Sequence, residues 1–342
     1  MERRSGVHPL LSVAPSGVGS HACWLMDLEL TDEQTFFQET TRKYLEREYP
    51  LSVVRSLEDD LHGFDRGYWR QVAELGWTSL LVPEEEGGGS VSSNPVADLA
   101  IVAEVKGRLV APGPFLPINL VTAALGRSGA GDRHAEVLAG LMSGDTIATW
   151  AFAEANGRWD AAGVQLVAEA DRDGFVLRGV KRFVEAAASA DWFLVTARTG
   201  GDLTQFLVPA TSSGLTVIPG RSVDLVRRFG DVRFEGVRVS ASAVVGEVGA
   251  RRRRGVPTPD RVAESVGAGD RVFEFTQEYM KDRWSFGRRL ASYQALKHRI
   301  ADMLLWLETG MGCAEAAARS VGSGAHSRGE RGHGLRRPRS TC

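Results

Sequence analysis

The chain has 342 residues, 43% of them hydrophobic and 25% charged, which suits two or three globular domains and excludes a fibrous or wholly disordered chain. Forty-one basic residues against 43 acidic ones give a net charge of −2, so no global field favours nucleic acid or an anionic membrane. No apolar run approaches the roughly 20 residues of a spanning helix, and Cys23, Cys313 and Cys342 have neither paired nor metal-ligand spacing, which fits a reducing, cytoplasmic setting.

Residues 1–25 are rich in Gly, Ser and Pro and read as a disordered leader. Residues 26–147 read as a helical domain that begins at Thr31, an N-cap followed by the acidic Asp32 and Glu33. Pro83, Gly87-Gly88-Gly89 and the Pro112/Pro114/Pro117 cluster mark its loops. Residues 148–250 change character. Short apolar runs such as Phe175-Val176-Leu177, Trp192-Phe193-Leu194-Val195 and Phe206-Leu207-Val208 recur about every ten residues. Asp173-Gly174 and Glu235-Gly236 read as hairpin turns between strands, so a β-barrel or sandwich is expected. Residues 251–318 return to helix, with Tyr293, Leu296, Ile300, Met303 and Leu307 as an apolar stripe and Ser292 as N-cap. From 319 to 342 the pattern stops. That stretch carries a local net charge of +5, against −7 for the rest, and reads as a disordered Arg/Gly-rich tail foreign to the fold.

The order helices, β domain, helices is unusual, and three segments carry chemistry within it. The run Tyr279 to Met303 contains Arg283-Trp284-Ser285-Phe286-Gly287 and Tyr293-Gln294. It resembles the acyl-CoA dehydrogenase pattern Y-x-x-x-R-x-x-F-G-x-x-[LI]-x-x-[FH]-Q-x-x-x-x-x-[LI]-A-D-M. The resemblance implies an α+β fold of three parts: a helical N-terminal domain, a β middle domain and a C-terminal helical domain cut short. It also implies FAD, with Arg283, Ser285, Phe286, Tyr293 and Gln294 reaching a flavin held mainly by the neighbouring subunit. A guanidinium fork matches phosphate oxygens, and an aromatic face covers a purine.

The segment Trp150-Ala151-Phe152-Ala153-Glu154 to Asp160 is similar to the family's flavin strand, aromatic-x-x-T-E-P-x-x-G-S-D. Trp150, Phe152 and Ala153 thereby fall beside the flavin. Ala153 stands in place of the threonine, and Trp159 in place of a serine that touches flavin or substrate. A tryptophan there fills the acyl channel unless the loop has moved. Gly179 to Trp192 resembles G-x-K-x-[WFY]-[IV]-[TS]-x-x-x-x-A-D, making Phe183 the aromatic wall of the flavin site. Glu185 replaces the hydroxyl residue, either as a carboxylate beside the flavin or as a strand-end acid facing water.

By family, the reaction is α,β-dehydrogenation of acyl-CoA thioesters from fatty-acid or steroid side-chain degradation, with electrons passed to an electron-transfer flavoprotein. The shared flavin site implies homo- or hetero-oligomers. The chemistry needs a carboxylate base, a hydride acceptor and donors to the thioester oxygen. One base position of the family would lie beyond residue 318, where the tail stands, and the other falls on Pro257. Thr258 comes next as a substrate contact, and Asp260 and Glu264 are the nearby carboxylates, either bases or ordinary helix-start acids. With no base identified, the chain alone is expected not to oxidise acyl-CoA appreciably. Two alternatives to a self-sufficient enzyme stand beside it: a non-catalytic partner subunit of a heteromeric acyl-CoA dehydrogenase, or the inactive product of a disrupted gene.

Overall fold

The structure is a computed structural model that describes residues 29–128, 131–249 and 259–322. The expected leader, Pro257, Thr258 and the tail beyond 322 lie outside the described residues. Six helices come first: α1 (Asp32–Glu48), α2 (Leu51–Ser56), α3 (Arg66–Glu74), α4 (Pro95–Leu109), α5 (Phe115–Gly126) and α6 (Ala135–Met142). Thr31 caps α1 as expected. Its Oγ1 accepts from Gln34 N at 3.2 Å, and Gln34 Oε1 accepts from Thr31 N at 3.2 Å, so two otherwise unpaired donors are satisfied reciprocally.

Pro117 lies inside α5, not in a loop. In the first turn of a helix the backbone N–H has no intrahelical acceptor, so a proline there costs no hydrogen bond. The helix then runs through a nearly continuous apolar stretch and is buried along its length.

Eight strands form one sheet: β1 (Ala148–Ala151), β2 (Val167–Asp171), β3 (Gly174–Glu185), β4 (Trp192–Thr199), β5 (Asp202–Pro209), β6 (Leu215–Pro219), β7 (Phe229–Ser240) and β8 (Val244–Val245). Their order is β6-β7-β3-β2-β4-β5-β8, with β1 parallel to β4. Asp173-Gly174 makes the β2–β3 turn. Glu235-Gly236 does not turn. Both sides of it pair with β3 in one continuous strand, with Leu177 opposite Val237 and Arg178 opposite Glu235. Gly236, at φ +77°, is the extra residue of a β-bulge. The buried side chains change parity across it, from Val232 and Phe234 to Val237 and Val239, as an inserted residue requires.

The C-terminal part holds α7 (Pro259–Asp282), a hairpin of β9 (Trp284–Ser285) and β10 (Arg288–Arg289), and α8 (Gln294–Gly322). Ser292 does not cap α8. It ends a 3-10 turn and gives its hydroxyl to Arg289 O at 2.7 Å, while Tyr293 O receives the first helical amides. The helix passes the expected boundary at 318, because Ala314, Ala318 and Val321 continue a face of small apolar residues toward the N-terminal helices. Arg319 Nη2 also donates to Glu29 O at 2.9 Å.

Three cores result. One joins α1, α3, α4 and α5 with Ala263 of α7 and Ala318 of α8. One lies within the sheet. The third seals α5 and α6 against β1, β4, β5 and β8. Helices α4 and α7 meet backbone to backbone: a Cβ on Gly107 would lie 1.9 Å from Glu264 O, and one on Gly267 2.0 Å from Glu104 O. By contrast, α7 leaves Val272, Phe275 and Tyr279 exposed, and α8 leaves Leu304, Leu305 and Trp306 exposed. The predicted stripe from Tyr293 to Leu307 is not buried: Tyr293, Leu296, Ile300 and Leu307 are half-buried and Met303 is exposed.

Candidate active site

Four elements converge on a cavity of about 410 Å³: the end of β1 and the loop after it, the end of β3, the start of α5, and the start of α7. A buried ion pair shapes the sheet side. Lys181 Nζ, fully buried, donates to Glu154 Oε1 at 2.7 Å and to Phe152 O at 3.0 Å. Glu154 also accepts from the backbone amides of Gln165 and Leu166 at 2.9 Å. Arg182 N donates to Ala153 O at 2.8 Å. Glu154 and Lys181, both matched in the sequence motifs, therefore lock the loop after β1 against β3.

Just past this clamp β3 shifts register between Lys181 and Val184, and Phe183 takes φ +53°. A non-glycine residue in this region is uncommon and costs about 1–3 kcal/mol. Its effect is to turn the Phe183 ring out of the sheet, where it is exposed on the cavity wall. Trp150 and Phe152 form the opposite aromatic group, with centroids 4.7 Å apart. Trp159 stacks on Phe152 at 6.4 Å and 30° and remains exposed, so it sits at the mouth instead of plugging the interior. Ala153 is buried in the wall.

Glu185 lies at the end of β3. It is buried and faces the cavity, not water. Its carboxylate lies 3.4 Å from Arg261 Nη2 and 3.8 Å from Arg227 Nε. Burial pushes its carboxyl above the usual carboxylate range, and the two arginines oppose that rise. Glu264 does not line the cavity; Arg227 holds it in an ion pair. Asp260 is the second residue of α7. Lys106 on α4 donates to Ala111 O at 2.9 Å and Pro112 O at 2.7 Å, and burial lowers its pKa to about 8.

The cavity thus brings together Trp150, Phe152, Ala153, Trp159, Phe183 and Glu185. It does not bring in the other predicted group. Arg283, Phe286 and Gln294 are exposed at the far end of α7, about 33 Å from Arg261 at 1.5 Å per residue. There the hairpin turns on Phe286 and Gly287, at φ +51° and +79°, a two-residue turn of the primed kind. Phe286 at the tip is 95% exposed. Tyr293 Oη braces the hairpin by donating to Ser285 O at 2.9 Å, with Arg288 3.8 Å over its ring.

Thr149, Arg182, Arg261, Leu116, Pro117 and Leu120 also line the cavity without having been singled out from the sequence. Arg182 adjoins the Lys181 motif and was within reach of that signal. The α5 residues were hidden by the proline cluster, and Arg261 becomes visible only when α7 is placed against the sheet.

Models of the acyl-CoA dehydrogenase N-terminal, middle and C-terminal domains match residues 31–145, 149–237 and 259–332. The chain belongs to the acyl-CoA dehydrogenase family. The C-terminal match takes in residues 319–332, which the sequence pattern alone set apart as foreign. Acyl-CoA dehydrogenase IpdE2 of Mycolicibacterium smegmatis is 29% identical over 275 residues, covering 80% of this chain and 73% of that protein. The mitochondrial short-chain specific acyl-CoA dehydrogenase of Bos taurus is 26% identical over 298 residues, 82% and 71% of the two chains. Among solved structures, the ChsE4-ChsE5 complex from Mycobacterium tuberculosis superposes with a TM-score of 0.76 at 26% identity, over 87% of this chain and 80% of that one.

Acyl-CoA dehydrogenases are FAD-dependent oxidoreductases, and the residues present fit a flavin. The cavity lies within the usual 300–1,000 Å³ of cofactor sites. Its aromatic walls suit a planar ring, and the strained Phe183 backbone places one of them.

Proposed function

We propose that this chain dehydrogenates acyl-CoA thioesters within an oligomer, in which the cleft of one subunit meets the Arg283–Phe286 hairpin of a neighbour. The observation that carries this reading is the separation along α7. One cleft holds six of the predicted flavin and substrate contacts, and the hairpin holds the rest some 33 Å away by helix length. A single chain therefore offers the two halves of its site to different cofactor molecules.

When bound, FAD supplies the two-electron acceptor for the reaction. Phe183, Trp150 and Phe152 would hold the ring plane and keep water out, while Thr149, Arg182 and Arg261 would supply polar contacts around it. Trp159 at the mouth limits the width of the acyl group. Arg283 would hold the pyrophosphate of the neighbour's FAD, and Phe286 and Gln294 its adenine end. An electron-transfer flavoprotein takes the electrons onward, in the reducing cytoplasm that the scattered cysteines suit.

A second reading is favoured by a relative solved as a two-protein complex. On this reading the chain lends its hairpin to a different subunit's FAD.

The test is flavin content, read from the visible absorbance of the purified oligomer. Arg283→Ala is expected to weaken FAD retention by about 1.5–3 kcal/mol, the range of a hydrogen bond to a charged group, with the melting temperature unchanged. Mixing Arg283→Ala with a cleft-blocked Ala153→Trp chain should restore part of the binding, because hybrids contain one intact composite site. No restoration would sink the shared-site reading. Flavin that appears only on co-expression with another dehydrogenase subunit would select the second reading.

A further inference from the structure

Glu185 has a chemistry that the site as described leaves unused. It ends β3 on the cavity wall, 9% exposed, and its backbone carbonyl is fixed by Thr149 Oγ1 at 2.6 Å. Its carboxylate has cationic neighbours, yet neither is close. Arg261 Nη2 at 3.4 Å and Arg227 Nε at 3.8 Å both exceed the roughly 2.7–2.9 Å of a saturated charge-assisted bond. Arg227 is committed to Glu264 instead. Glu185 is therefore a buried carboxylate with spare acceptor capacity on the wall of the cavity.

We propose that Glu185 is the proton acceptor of this chain, taking the α-hydrogen of the bound acyl thioester. The Cα–H bond breaks toward a Glu185 oxygen, and its electron pair becomes the new Cα=Cβ π bond. The β-hydrogen would leave with its own electron pair to FAD, the two-electron acceptor that the cavity would hold. Glu185 ends as a neutral carboxylic acid, and the acyl group ends unsaturated. Arg261 and Arg227 are positioning residues in this scheme: they hold the carboxylate in place and keep it ionised without quenching its lone pairs.

The groups facing Glu185 are Arg227 from the segment before β7, Arg261 and Glu264 from α7, and Lys106 from α4. Burial and Glu264 favour the neutral acid, and the three cations favour the anion. The net direction is upward, so proton abstraction should fall as pH drops through a value above the ordinary glutamate range. Glu185→Asp should retain part of the activity with a changed acid limb.

The inference rests on the cavity being the flavin–thioester cleft, and the experiment separates the two claims. The probe is a 3-thiaacyl-CoA, which has an acidic α-hydrogen but none at position 3 to lose. It is incubated in D2O with the FAD-loaded oligomer, and deuterium uptake at Cα is tracked by mass spectrometry. Glu185→Gln is expected to slow uptake by about 10²–10⁴-fold while FAD content stays at the wild-type level. Uptake at the wild-type rate in Glu185→Gln overturns the proposal, as does a loss that appears in Asp260→Asn but not at Glu185. If Glu185→Gln and Glu185→Asp both lose FAD, the residue holds the cofactor and the proposal is again wrong. A wild-type oligomer with no flavin and no uptake overturns the cleft assignment itself.

Discussion

The cleft and the hairpin are built from the same kinds of residue in opposite states. Around the cleft, charge is paired: Lys181 with Glu154 in the interior, and Arg227 with Glu264 and Arg182 with Asp231 (3.0 Å) nearer the surface. At the hairpin the aromatics Trp284 and Phe286 are exposed, as are Leu304, Leu305 and Trp306 on α8. A folded chain hides apolar surface that its own packing can reach. These charges of the cleft are paired within this chain, whereas the hairpin region leaves apolar surface open. Among the described residues, the contrast separates charge that the chain pairs within itself from apolar surface that it leaves open.

Breaking the enclosed charge should give the largest effect. Lys181→Met leaves Glu154 buried without its cation, and removing one partner of a buried pair costs about 3–5 kcal/mol. Urea unfolding should show that loss together with disordering of the loop that carries Trp159. A loss below about 1 kcal/mol would mean the pair behaves like a surface one. The α4–α7 contact should respond less. Gly267→Ala drives a methyl group into Glu104 O, and overpacking of this kind costs about 1–3 kcal/mol, offset by up to about 1 kcal/mol of helix propensity. A more stable variant would show that the two helices separate easily. The smallest change in stability is expected at the hairpin. Phe286→Ser should alter the unfolding free energy by less than about 0.5 kcal/mol, yet reduce the size of the oligomer or its flavin content. A marked drop in stability with the assembly intact would erase the distinction between the two regions.

Much of the fold and of the cleft was legible in the sequence where a local rule and a long-range role coincide. Thr31 caps α1 because its neighbours are right for a cap, and six cleft residues come from two strand motifs. The features that stayed hidden depend on partners distant in the chain. Gly236 has the look of a turn, and only the parity shift from Phe234 to Val237 betrays a bulge. Ala314 and Ala318 are too small to register as an apolar stripe, yet Ala318 is fully buried. Glu185 was read as facing either flavin or water, and its burial on the cavity wall depends on α7 and on the segment before β7, which no local pattern places there.

The span of α7 carries a further consequence. A helix couples length to phase, since each residue adds about 1.5 Å and turns the rest of the chain by about 100°. An insertion in α7 would therefore move the hairpin outward and swing it around the axis together. Seven added residues would nearly restore its bearing but displace it by about 10 Å, and any fewer would point Phe286 and Arg283 elsewhere. The helix acts as a gauge block between the cavity wall at Arg261 and the hairpin, one that tolerates substitution along its surface but not a change in its number of residues.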